Sequence, residues 1–232
     1  RRGWLRRCVD GGMPVVAISG GVRQDLEALG VAPDRITVEH DAHDPALVDA
    51  LPERAAADDA LEYCHLKAGK DMLCLYINNN PKTQLFTGKS LRLGGSSEVY
   101  QDNGSHFGDL SAIITENLPL WADFSSAPSQ QVALMAEWET KMEAIINETI
   151  NENITSLVGV PSWMLVLLNR VLEKTGKENI LEVWPNLEVY FHGGVNFNPY
   201  REQYKKLIPK ADFNYYEIYN ASEGFFAIQD RQ

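Results

Sequence analysis

Two β-like runs, each broken by a tight turn, constrain this chain more than anything else in it. They are LEVYFHGGVNF (187–197) and NYYEIYNASEGFFAI (214–228), joined by a charged helical insert. The turns are His192-Gly193-Gly194 and Tyr219-Asn220-Ala221-Ser222-Glu223-Gly224. In an open α/β sheet, the carboxyl ends of strands are where ligands usually bind. The second turn gathers an aromatic ring, a hydroxyl and a carboxylate within a few residues. That set suits a nucleotide: a ring to stack on a base, a donor for phosphate and a carboxylate for Mg²⁺.

The formal charge of −11 excludes broad contact with nucleic-acid phosphate, which needs clustered Lys and Arg. No apolar run reaches the roughly 18 residues of a membrane span, and the Arg-rich start lacks the apolar region of a signal peptide. Cys8, Cys64 and Cys74 form no CxxC pair, which points to a reducing, cytoplasmic setting. Oligomeric state is left open.

Composition changes near residue 57. Residues 1–57 hold seven Arg and no Lys, and nine Ala but no Asn; residues 58–232 hold four Arg, ten Lys and fifteen Asn. Two domains are expected, 1–57 and 58–232, the first foreign to the second through a fusion or assembly junction.

In the first segment, MPVVAIS (13–19) and ITVEH (36–40) read as strands around a helix whose stop is Gly30. The cluster His40-Asp41-Ala42-His43-Asp44 lacks the helical HExxH context and reads as a solvated loop. A helix is expected over residues 60–79, with His65 packed inside, then a strand–turn–strand pair over 85–97 closed by Gly94-Gly95. Gly88-Lys89-Ser90 looks like the end of a phosphate loop, but Thr83 stands where the first glycine of that loop belongs. Residues 130–150 read as one long helix with a single buried stripe. SLVGV (156–160) reads as a strand, and Pro161 opens a helix that Gly176 ends. Strands alternating with helices imply an α/β sandwich on a largely parallel central sheet.

Residues 13–48 resemble the start of the donor domain of retaining two-Rossmann-domain glycosyltransferases, on Leu29-Gly30-Val31, Pro33, Arg35 and Ile36-Thr37-Val38. That stretch holds none of that family's donor-phosphate or catalytic residues. Residues 58–232 resemble, closely and almost continuously, the bacterial branch of the auxin-responsive-promoter family of acyl-acid amido synthetases. The segments that carry this are HLKAGKDML, FTGKSLRLGGS, GDLSAI, NLPLWADF, GVPSWMLVLL, EVWPNLEVYFHGGVNFNPYREQYKKLIP and YNASEGFFAIQD.

The resemblance implies a layered α/β fold of the adenylate-forming type with a mixed, largely parallel sheet, here incomplete at both ends. It implies ATP and Mg²⁺ as cofactors, with a small carboxylic acid and an amino acid as substrates. The acid is activated as an acyl-adenylate and then passed to the amine. By motif position, Tyr219 stacks on adenine, Ser222 hydrogen-bonds the α-phosphate and Glu223 holds Mg²⁺, with Asn220 and Ala221 in the same turn. Gly193 and Gly194 let backbone approach the adenine, and Val160, Pro161, Trp163 and Met164 wall the acyl pocket. Each has a plainer alternative: Glu223 as a carboxylate at a helix start, Tyr219 and Trp163 as core aromatics, the glycines as a turn.

The family's Ser/Thr/Gly-rich phosphate loop belongs before the helix that begins near Ala60. Here PALVDALPERAAADD (45–59) stands in its place, with no Gly, Ser or Thr. No counterpart of the later ribose-binding Asp or of the mobile C-terminal domain is recognised either. The expectation is a fragment of an ATP-dependent acyl-acid–amino acid ligase that does not turn over as given. A glycosyltransferase fragment and a non-catalytic nucleotide-binding module are the alternatives.

Overall fold

The computed structural model describes residues 15–17, 36–38, 65–95, 100–102, 105–107, 110–221 and 224–229. The chain divides into two units, Arg1–Ala60 and Leu61–Gln232. In the first, β1 (Val15–Ala17) pairs in parallel with β2 (Ile36–Val38), Val15 opposite Ile36. Both strands fall within the apolar runs read from the sequence. The expected intervening helix and the His40–Asp44 cluster lie outside the described residues.

The second unit is built on a six-stranded sheet in the order β10-β9-β8-β7-β3-β6. Its strands are β3 (Lys89–Leu93), β6 (Ser126–Ala127), β7 (Ile154–Gly159), β8 (Val189–His192), β9 (Asn214–Ala221) and β10 (Gly224–Ile228). All neighbours are parallel except β9 and β10, so the sheet is mixed and mostly parallel, as expected. A separate hairpin pairs β4 (Tyr100–Asp102) with β5 (Ser105–Phe107).

Parallel strands must be covered on both faces, and β8, with all four residues buried, shows why. Tyr190 joins the larger core, which includes Leu91, Leu157, Met142, Met164 and Trp184. That core is supplied by α5 (Trp138–Thr149), α6 (Pro161–Thr175) and α7 (Arg201–Leu207). Val189 and Phe191 point the other way, to Met72 and Tyr76 of α1 (Lys67–Asn79), with Leu85 and Tyr216. The remaining helices are short: α2 (Leu110–Glu116), α3 (Leu120–Phe124) and α4 (Gln130–Ala133).

Three expectations are corrected. Residues 85–95 hold one strand, not two: Leu85–Thr87 is a 3₁₀ turn and β3 begins only after Gly88. The turn is tied to β7, because Thr155 Oγ1 donates to the Leu85 carbonyl (2.7 Å) and Lys89 N to that of Asn153 (2.8 Å). Gly88 permits this close approach, since a Cβ there would meet the Asn153 carbonyl oxygen at 2.2 Å.

The single helix over 130–150 is two. The Glu137 carboxylate accepts the backbone N–H groups of Glu139 (3.0 Å) and Thr140 (2.7 Å), which caps a fresh start for α5. The Thr140 hydroxyl also donates to this carboxylate (2.5 Å), and that bond first, then the two backbone bonds, hold the Glu137 carboxyl below its usual range. The buried stripe Met142, Ile145, Ile146 survives the break.

The turn after β9 is also shorter than read. Tyr219, Asn220 and Ala221 continue the strand, and Ala221 faces Gly224 across the β9–β10 pair.

Candidate functional site

β7 and β8 end side by side, with Gly159, His192 and Glu217 in register, while β9 runs on to Ala221. Beyond that level each strand contributes one piece of a shared edge. After Gly159, Val160 leads into α6, which has Pro161 in its first turn and no side-chain cap. Among the described residues no side chain caps its first N–H groups, an arrangement that favours an anion. After His192 come Gly193 and Gly194. Gly193 is buried against β9, where a Cβ would meet the Ile218 carbonyl oxygen at 2.4 Å. Gly194 has φ +83°, and a Cβ there would lie 3.3 Å from Val160 Cγ2. The glycine turn therefore touches both neighbouring strand ends.

A stack of aromatic rings fixes this edge from beneath. Tyr204 donates to the Pro161 carbonyl (2.8 Å) and Tyr190 to the Gly159 carbonyl (3.0 Å), so two hydroxyls hold the β7–α6 corner. Their rings stack at 5.1 Å, and burial raises both phenol pKa values, which keeps them as neutral donors. His192 stacks on Phe197 at 4.0 Å, its buried Nδ1 without a hydrogen-bond partner among the described residues. Burial, with a smaller contribution from the Arg201 charge, pushes its pKa down to about 4, so it is neutral at pH 7. Arg201 in turn lies over the Phe197 ring at 5.0 Å.

The residues singled out from the sequence fall as follows. Gly193, Gly194, Val160 and Pro161 meet at this edge. Tyr219 is 55 % exposed, one side of its ring against Phe226 at 5.3 Å. Asn220 is half-buried and pairs with Phe225, and Ala221 ends β9. Ser222 and Glu223 lie outside the described residues. Trp163 is 38 % exposed and packs edge-on against Trp138 at 6.0 Å. Met164 is fully buried in the larger core.

Sequence reasoning passed over a second feature, a cavity of about 90 Å³ on the α1 face of the sheet. Its lining includes Arg92 of β3, Ser156 and Val158 of β7, and His65 at the entry to α1. Among the described residues the buried Arg92 Nε and His65 Nδ1 have no hydrogen-bond partner. The one signal in the sequence was a lone cation between Leu91 and Leu93, which reads as an ordinary outward-facing strand residue.

Among the described residues, no three His, Cys, Asp or Glu side chains gather as a metal site. Among them, too, no helix is long and apolar enough to cross a membrane.

The mostly parallel sheet, with helices on both faces, defines a layered α/β domain of the adenylate-forming type. The GH3 family N-terminal domain matches residues 53–213, and this chain belongs to that family, the auxin-responsive acyl-acid amido synthetases. No curated protein matches the chain.

Proposed function

We propose that the second unit of this chain is the acid- and nucleotide-binding core of an ATP-dependent acyl-acid–amino acid ligase. The observation that carries this reading is the meeting of Gly193 and Gly194 with Val160 on one side and Ile218 on the other, at the carboxyl ends of parallel strands. A glycine with φ +83° beside an uncapped helix start leaves room and donors for a flat base and an anionic group.

In this reading the Tyr219 ring offers its open face to adenine. Gly193 and Gly194 bring backbone to the base edge. By motif position Ser222 donates to a phosphate oxygen and Glu223 holds Mg²⁺, with Asn220 and Ala221 setting the turn. Val160, Pro161, Trp163 and Met164 shape the wall beside the acid. ATP supplies the phosphoanhydride that makes a poor electrophile, the carboxylate, reactive; the protein's task is positioning and charge stabilisation. The amine acceptor is an amino acid, and the setting is the cytoplasm.

Turnover is a separate matter. PALVDALPERAAADD offers none of the Gly, Ser or Thr donors that would cradle the outer phosphates. We therefore expect the chain to bind nucleotide and acid without activating the acid. ATP–pyrophosphate exchange over a panel of carboxylic acids tests this: no acid-dependent exchange is expected, and clear exchange overturns the inactive reading.

The composition change near residue 57, the start of the family match at residue 53 and the unit boundary between Ala60 and Leu61 fall within a few residues of one another. We infer that residues 1–57 are foreign to the rest. Source DNA read across codons 50–62 in one continuous molecule would contradict an assembly junction.

A further inference from the structure

α7 carries cations along the rim of a buried stripe. In PYREQYKKLIPK, positions 201, 204, 205 and 208 recur at the spacing of one helical face. Tyr204 and Ile208 are buried in the larger core, which holds Arg201 and Lys205 beside them. With Lys210, just past the helix, these two cations border a groove of about 540 Å³ that Phe213 and Tyr215 also line. That volume lies within the roughly 300–1,000 Å³ of small-molecule sites.

The chain has 32 acidic and 21 basic residues, yet every charged residue that lines this groove is a cation. Little in the protein competes for them. The Arg201 guanidinium lies over the Phe197 and Tyr215 rings at 5.0 and 5.9 Å and, among the described residues, makes no ion pair. Lys205 pairs with Glu202 at 2.7 Å, but both side chains are more than half exposed, and such a pair is worth little. Lys210 gives one N–H to the Leu187 carbonyl at 3.4 Å and has two more to offer.

Tyr215 is a second sign. Its buried hydroxyl has no hydrogen-bond partner among the described residues. Buried polar groups are nearly always paired, so the acceptor this one needs is a water or a ligand oxygen. Burial raises its pKa to about 12, against a smaller lowering by Arg201, which keeps it a neutral donor at pH 7.

Three cations set the charge of the ligand. A carboxylate brings one negative charge, whereas a phosphate monoester carries about −1.5 to −2 at pH 7 on three oxygens. An arginine fork beside two mobile ammonium groups suits the second. Ile208 and Phe213 make part of the lining apolar. The groove is also apart from the proposed nucleotide seat: Tyr215 lies four residues before Tyr219, about 13 Å along β9.

We propose that this groove binds a small phosphate monoester with an apolar body, its phosphate on Arg201, Lys205 and Lys210 and its body against Ile208 and Phe213. The assignment does not rest on the ligase reading.

The test is calorimetric titration of the full chain, without ATP, with phenyl phosphate, and with inorganic phosphate and benzyl alcohol to remove the body and the charge in turn. Phenyl phosphate should bind more tightly than either control. Arg201→Gln, and separately the double variant Lys205→Ala/Lys210→Ala, should each weaken it by roughly tenfold or more, the worth of one charge-assisted hydrogen bond. Tyr219→Ala should leave it unchanged. If Arg201→Gln fails to fold, the lysine variant, altered only at side chains that line the groove, still decides. No binding of phenyl phosphate, equal affinity for either control, or unchanged affinity in the lysine variant overturns the proposal. Loss in Tyr219→Ala with none in the lysine variant overturns it too, and would place the phosphate at the strand ends. Phenyl phosphate held by the groove cations in a chain that fails to bind MgATP would count against the ligase reading and leave the groove assignment standing.

Discussion

Gly193 lies so close to the backbone of Ile218 that a methyl group on it would stand 2.4 Å from the Ile218 carbonyl oxygen. A carbonyl in a strand cannot swing aside as a side chain can. This contact sets the β8 turn against β9, and with it the spacing between the glycines and Tyr219.

Gly193→Ala should therefore cost about 1–3 kcal/mol or more, through a forced shift of β8 from β9. Gly194→Ala should cost less, about 1–2 kcal/mol, because its strain is the positive φ and the Val160 methyl at 3.3 Å can yield. Urea unfolding of the two variants gives the order; equal stabilities would contradict it.

Tyr204→Phe removes the hydroxyl that holds the Pro161 carbonyl, a bond made in addition to that carbonyl's place in the α6 ladder. A loss of about 0.5–1.5 kcal/mol is expected. The shape of the ring stack is kept, so the far-ultraviolet circular dichroism spectrum should not change.

His192 makes stability depend on pH. Its folded pKa, about 4, lies below the ordinary 6.5, so between those values the unfolded chain binds more protons. The neutral imidazole's contribution is fully present above pH 6.5 and is lost as pH falls towards 4. The whole effect is about 3 kcal/mol at 1.36 kcal/mol per pKa unit. His192→Phe, which keeps a ring on Phe197, should lose less stability than the wild type between pH 6.5 and 4. Parallel losses in the two proteins would contradict this assignment.

Much of this fold was legible because its signals are local. Pro161 at the start of α6 and Gly176 at its end, with φ +65°, mark the helix in the sequence as they do in space. The apolar run of β8 and the glycines after it did the same for the strand and the tight turn that follows it. What was hidden depends on side chains reaching across. The break before α5 is made by the Glu137 carboxylate folding onto Glu139 and Thr140, while Met135, Trp138 and Met142 keep a helical spacing across the gap. Gly88 looked like part of a phosphate loop and serves a close approach to Asn153. Arg92 escaped notice because nothing in LRLGG says which face of the sheet is sealed.

Tyr219 of β9, beside the ends of β7 and β8, is the proposed seat of the nucleotide base. The most direct measurement is the affinity of the full chain for MgATP, by titration calorimetry, beside that of Tyr219→Ala. Loss of a base–aromatic stack is worth about 1–3 kcal/mol, so the variant should bind roughly 5- to 150-fold more weakly. Saturable MgATP binding that weakens by that amount is the predicted result. No binding by the wild-type chain, or equal affinity in Tyr219→Ala, would contradict it.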